Sequence, residues 1–198
     1  MFLVVLVYVD DMIIAGNDSA QCSRLKQFLA TQFHLKDLGR LKYFLDLEVA
    51  HSPKGIFLSQ RKYALDILAD ARLLDAKPCS TPMQQQHHLG TSTSSSLHDP
   101  TPFRRLIGRL LYLTITRPDI TYAVNFLSQF MQTPTTEHQQ PAFRILRYIK
   151  GAPDQGLFFP RENSFQLRGY CDADWRACPI TRRSTTGYFM TLGDAPIS

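Results

Sequence analysis

Two aspartates, Asp10 and Asp11, stand side by side between the apolar runs at residues 2–9 and 12–15. Adjacent ionised carboxylates repel, and they are costly beside apolar surface. A divalent cation relieves both problems. Mg²⁺ takes a few carboxylate oxygens and completes its shell with substrate phosphates. Two such ions, about 4 Å apart, can activate an attacking oxygen and stabilise a leaving one in phosphoryl transfer. A second acidic pair lies in Tyr170-Cys171-Asp172-Ala173-Asp174-Trp175. Strand alternation puts Asp172 and Asp174 on one face. Asp is also common in turns and at exposed strand ends, so each pair has an ordinary reading as solvated surface.

The elements that position these residues follow from the apolar pattern. The runs around Asp10-Asp11 are rich in Val and Ile, are too short for good helices, and end at Gly16-Asn17-Asp18. They predict a buried β-hairpin with both carboxylates at its tip. Cys22, Leu25, Phe28, Leu29 and Phe33 recur at helical spacing, so residues 19–33 are expected to form a helix capped by Ser19. Apolar stretches at 41–49 and 56–60 flank Ser52-Pro53-Lys54-Gly55 and predict a second hairpin. A helix over 61–71 would present Tyr63, Ile67, Leu68 and Ala71. The Gln/His/Ser-rich tract at 84–100 cannot build a core and reads as a flexible linker.

Helical periodicity returns at Thr101. Three stripes follow: Phe103, Leu106, Ile107, Leu110 and Leu111; Tyr122, Phe126, Leu127 and Phe130; Ala142, Ile145, Leu146 and Ile149. Pro118 and Pro134 mark helix starts, and the short connections predict a bundle. Arg144, Arg147 and Lys150 recur every three residues off the apolar stripe, with Arg104, Arg105, Arg109 and Arg117 adding charge. Such a face either tracks phosphates or is simply solvated.

Composition bounds the partners. An apolar share of 44% supports a real core, and 22 Lys+Arg against 17 Asp+Glu gives +5, which suits a polyanion without requiring one. Cys22, Cys79, Cys171 and Cys178 lack metal-site spacing and are expected to be reduced thiols of a cytosolic or nuclear protein. His87-His88, in the polar tract, reads as a solvated loop. The opening apolar run is far short of the roughly 20 residues that a membrane span requires, and it lacks a signal peptide's basic start.

Tyr8-Val9-Asp10-Asp11 resembles the catalytic hairpin of reverse transcriptases, and residues 6–16 resemble the copia-type retrotransposon enzyme closely. Lys36-Asp37-Leu38-Gly39, Thr116-Arg117-Pro118-Asp119-Ile120, Arg144-Ile145-Leu146-Arg147-Tyr148, and Asp172-Ala173-Asp174-Trp175 with Arg182-Arg183-Ser184-Thr185-Thr186-Gly187 follow in that family's order.

The resemblance implies an α+β chain. Residues 1–60 would be the C-terminal part of a polymerase palm, with antiparallel hairpins, a helix and a primer-grip-like turn. Residues 61–83 would start the thumb, 84–100 would link, 101–160 would form a helical thumb or connection bundle, and 161–198 would be the first strands of a ribonuclease H-like fold. Asp10 would be the stronger ligand of Mg²⁺ (or Mn²⁺), Asp11 would assist, and Tyr8 would line the primer end. Leu45 and Asp46 would sit at the primer grip, and Asp172, then Asp174, would be ribonuclease H-like metal ligands. Arg144, Arg147 and Lys150 would face nucleic acid.

The implied partners are an RNA template, an RNA–DNA hybrid and deoxynucleotides. A third palm carboxylate, the fingers and the rest of the ribonuclease H fold are expected to lie on missing segments, so this chain alone is expected to be inactive. The sequence departs from the family pattern at Asp46, where Gly is usual, and around Arg176-Ala177 and Ile180. A second reading stays open: a remnant that binds nucleic acid without chemistry.

Overall fold

The computed structural model describes residues 2–84, 94–175 and 184–198. It is α+β, with small antiparallel sheets and five α-helices among the described residues. Two compact units divide the chain, Met1–Leu45 and Asp46–Ser198. The expected solvent loop at His87-His88 lies outside the described residues, as does Cys178; Cys22, Cys79 and Cys171 are free thiols. No helix among the described residues is long and apolar enough to cross a membrane.

In the first unit, β1 (Leu3–Tyr8) pairs antiparallel with β2 (Asp11–Gly16). Helix α1 (Ser19–Gln32) follows. Its cap is Asp18, whose carboxylate accepts from the Ala20 and Gln21 amides at 2.9 and 3.2 Å, rather than the expected Ser19. A carboxylate there satisfies two orphan amides and meets the positive end of the helix dipole. The hairpin is exposed, not buried as expected: every residue from Leu3 to Val9 is open to solvent, whereas Met12, Ile13 and Ile14 are partly covered. The physical reason is that α1 packs against β2, while β1 pairs only with β2 among the described residues. The Lys-Asp-Leu-Gly motif is a local turn. Asp37 accepts from the Gly39 amide at 2.8 Å and from Lys26 Nζ at 3.0 Å, and Gly39 takes a positive φ of 78°. These two bonds, the Gly39 amide first, hold the Asp37 carboxyl below its ordinary range. A two-residue strand, β3 (Tyr43–Phe44), ends this unit.

In the second unit, β4 (Leu47–Ser52), β5 (Gly55–Ser59) and β6 (Gly156–Pro160) lie side by side. The β5–β6 register, Gly55 opposite Pro160 and Ser59 opposite Gly156, joins segments a hundred residues apart. A Cβ at Gly156 would collide with the Leu58 carbonyl, so this close approach requires glycine. Helix α2 (Arg61–Asp70) follows directly. The Glu48 carboxylate, from β4, accepts from the Lys62 amide at 2.7 Å and serves the helix start from outside.

The core is helical. Helices α3 (Thr101–Leu113), α4 (Thr121–Ser128) and α5 (Thr136–Gly151) close around α2. Phe103, Ile107, Leu110 and Leu113 meet Val124, Leu127, Ile145, Leu146 and Ile149, and all are buried. Each such side chain contributes about 1.5–3 kcal/mol. Pro118 starts a short 3-10 turn (Pro118–Ile120), and Thr135 caps α5 just after Pro134. Pro141, inside α5, forfeits one backbone bond without ending the helix. Residues 94–100, expected to be part of a flexible linker, are pinned instead. Ser96 bridges Thr135, and the Leu97 amide donates to the Pro134 carbonyl at 2.9 Å. The last sheet pairs β7 (Leu167–Asp174), β8 (Thr185–Leu192) and β9 (Ala195–Pro196) in that order.

Arg117 ties the bundle together. Its side chain is 1% exposed. The guanidinium grips both Asp119 oxygens, at 2.9 and 2.8 Å, and donates to the Ala152 carbonyl at 2.7 Å, just past the end of α5. It also stacks over Tyr148. Burial pushes the Asp119 carboxyl up, but the Arg117 bond and charge, with hydrogen bonds from Tyr148 and the Asp119 amide, together bring the net shift down. Burial and the bond to Asp119 raise the Tyr148 phenol. Arg117→Met would leave a half-buried carboxylate unpaired, and such losses cost about 3–5 kcal/mol. Urea unfolding should show most of that loss.

His138 completes the α5 start. Its Nδ1 accepts from the Thr135 amide at 2.9 Å, and its ring stacks on Phe130 at 4.1 Å. Desolvation lowers its pKa, against a small upward pull from Glu137. The folded imidazole therefore resists protonation while the unfolded one accepts it. Stability is full above the unfolded pKa and falls as the pH drops below about 6.5. Thermal melts between pH 7 and pH 5 should show this slope. His138→Gln, with a non-titrating acceptor at the same capping position, should flatten it.

Candidate functional site

The register Tyr8 opposite Asp11 leaves Val9-Asp10 as a two-residue turn. Val9 has φ 49° while Asp10 stays negative, the φ pattern of a type II′ turn. Glycine is the usual residue there, and a β-branched one is strained by about 1–3 kcal/mol. The strained turn places Asp10 at the apex and Asp11 on the first residue of β2, both exposed. Tyr8, also exposed, shares a face with Asp11 as its cross-strand partner.

A second strained turn lies at Leu45 and Asp46, with φ 48° and 58°. Both central residues are positive, the pattern of a type I′ turn, for which Asn-Gly and Asp-Gly are favoured. The single apolar run expected over 41–49 is broken here into β3 and β4.

Asp172 and Asp174 lie on β7, opposite Gly187 and Thr185. Both are exposed and two residues apart, hence on one face. They belong to the second unit, Asp10 and Asp11 to the first.

The basic side chains are mostly engaged within the chain. Arg144 donates to the Thr81 carbonyl at 3.1 Å and to Thr81 Oγ1 at 2.8 Å. Lys150 donates to the Ala76 carbonyl at 2.7 Å. Between them, the Arg147 carbonyl accepts from the Cys79 amide at 3.3 Å. The Arg144 and Lys150 side chains and the Arg147 backbone thus meet residues 76–83, a segment that runs along α5. Sequence reasoning missed this segment; Pro78 and Pro82, which exclude a helix there, were its signal. Arg104 holds the Met131 and Gln132 carbonyls, and Arg109 pairs with Asp70 and lies over Tyr63. Arg117 is buried, and Arg105, whose side chain is 75% exposed, lies 3.8 Å from the Asp70 carboxylate.

Residues 1–85 match the family described as reverse transcriptase (RNA-dependent DNA polymerase). Over 193 residues, 98% of its length, the chain is 47% identical to the retrovirus-related Pol polyprotein from transposon RE1 of Arabidopsis thaliana, and 45% identical to that from transposon RE2. It spans 13% of each polyprotein. An uncharacterized mitochondrial protein of the same plant is 43% identical over 95% of this chain and 78% of its own length. The chain belongs to the copia-type retrotransposon Pol family. No solved structure matches it.

The copia-type resemblance implies divalent metal at Asp10 and Asp11. The donor chemistry fits, since two exposed carboxylates are hard oxygen ligands of the kind Mg²⁺ and Mn²⁺ take. Their number does not suffice for a two-ion centre. Among the described residues no three His, Cys, Asp or Glu side chains gather as a metal-binding group. The positive-φ turn at Asp46 has a cost that substitution can measure. Asp46→Gly should stabilise by up to about 1 kcal/mol, and Asp46→Val should destabilise by about 1–2 kcal/mol, read from urea midpoints at constant m.

Proposed function

We propose that this chain is a portion of an RNA-directed DNA polymerase in which Asp10 and Asp11 supply part of the metal-binding carboxylate set. The observation that carries this reading is the strained Val9-Asp10 turn, which presents both carboxylates to solvent at the apex of an otherwise apolar hairpin. In the reaction, a primer 3′ hydroxyl attacks the α-phosphate of a deoxynucleotide and pyrophosphate leaves. Bound Mg²⁺ or Mn²⁺ would supply charge neutralisation at the attacking and leaving oxygens. The chain's own part is to hold ligand oxygens at Asp10 and Asp11, to bring Tyr8 to the primer end, and to approach the primer with the Leu45–Asp46 turn. Asp172 and Asp174 would be the corresponding carboxylates of a ribonuclease H-like strand. The template would be RNA and the product an RNA–DNA hybrid, whose phosphates Arg144, Arg147 and Lys150 would contact.

Two carboxylates cannot hold a complete two-ion centre, so the chain alone should not extend a primer. Two measurements test the reading. Primer extension on an RNA template with Mg²⁺ should be nil for the purified chain and for Asp10→Asn/Asp11→Asn alike. Mn²⁺ should broaden the amide resonances of residues 9–12 in the unmodified chain and not in the double variant. Absence of hairpin broadening would sink the metal assignment. Extension by the unmodified chain would show that a third carboxylate comes from within it or from a second copy.

A further inference from the structure

The basic stripe on α5 is covered by its own chain. Arg144 and Lys150, six residues apart, are each engaged by neutral oxygens of residues 76–83. This segment is attached at both ends: Leu73 and Met83 pack against the core. Between those anchors it touches α5 through backbone bonds and the Cys79 thiol, which donates to the Arg144 carbonyl at 3.3 Å. In the same stripe, Arg147 Nε is buried and finds no hydrogen-bond partner among the described residues. A buried cationic donor left without an acceptor is costly.

We infer that residues 76–83 form a strap that closes over Arg144 and Lys150 and competes with nucleic-acid phosphates for them. This rests on the nucleic-acid reading given above. The competition has a physical basis on each side. The strap's oxygens are neutral but tethered, so their effective concentration is high. Phosphate oxygens are charged and make bonds roughly twice as strong with guanidinium and ammonium groups. Strap closed, α5 is a packed structural helix; strap displaced, it offers Arg144 and Lys150 to phosphate.

The strap can be locked without touching any base. A Cβ built at Gly151 lies 3.7 Å from the Pro78 Cβ, within the range a disulfide spans. The Pro78→Cys/Gly151→Cys variant compares one polypeptide oxidised and reduced, with the crosslink checked by mass spectrometry. The probe is a fluorescein-labelled RNA–DNA hybrid, followed by anisotropy across a salt series. The reduced form should bind several-fold more tightly than the oxidised form. Its log–log salt slope should be steeper by about 2, one unit per base released. Thr81→Val, which removes one Arg144 acceptor, should shift the unmodified chain the same way. Salt-dependent binding that is equal in the oxidised and reduced forms overturns the strap and leaves the nucleic-acid reading standing. No salt-dependent binding by any form overturns both.

Discussion

The second unit depends on one buried ion pair. Arg117 and Asp119 sit two residues apart on either side of Pro118, so their pairing costs little chain entropy. The guanidinium's third nitrogen, Nη1, is then fixed in direction and donates to the Ala152 carbonyl. That bond anchors the exit of α5, four residues before β6 begins. A buried charge is tolerable only where partners meet it, and here a bidentate carboxylate, a carbonyl and the Tyr148 ring all do. The α3–α4 corner, the end of α5 and the entry to the β5–β6 pairing are therefore set by one residue.

The helical part of this arrangement was legible. Ala142, Ile145, Leu146 and Ile149 were read as one face and are all buried, because a 3.6-residue period has no competing explanation in a segment that long. Charge was not legible in the same way. Arg117 and Arg144 look alike in a sequence, yet one is an internal tie and the other a clasp on a distant segment. A sequence shows that a base exists and which helix face it takes. It does not show which carbonyls, 35 or 63 residues away, will satisfy it.

The candidate site shows the same division. The hairpin and its apex carboxylates followed from the Val/Ile runs and the Asp-Asp break. Its exposure did not, since burial depends on what packs against β1, and among the described residues α1 packs on β2 while β1 pairs only with β2. The turn itself was misplaced by one residue. Asp10-Asp11 reads as the break, but the register assigns the turn to Val9-Asp10. Propensity argues against valine at positive φ, so no sequence rule would have put it there.

That misplacement bears on chemistry. With the turn at Val9-Asp10, the two carboxylates are not equivalent. Asp11 is held by the β1–β2 ladder, while Asp10 rides on the turn, so their relative placement depends on the Val9 backbone. A relaxed turn would allow the apex to sample several conformations and would spread the two carboxylates over many separations. A strained turn persists only where flanking pairs over-determine it, and here six consecutive pairs, Leu3–Gly16 to Tyr8–Asp11, do so. The apolar ladder beneath the apex therefore does more than connect it. It is the element that can keep an unfavourable valine in place and so fix the spacing of two mutually repelling carboxylates.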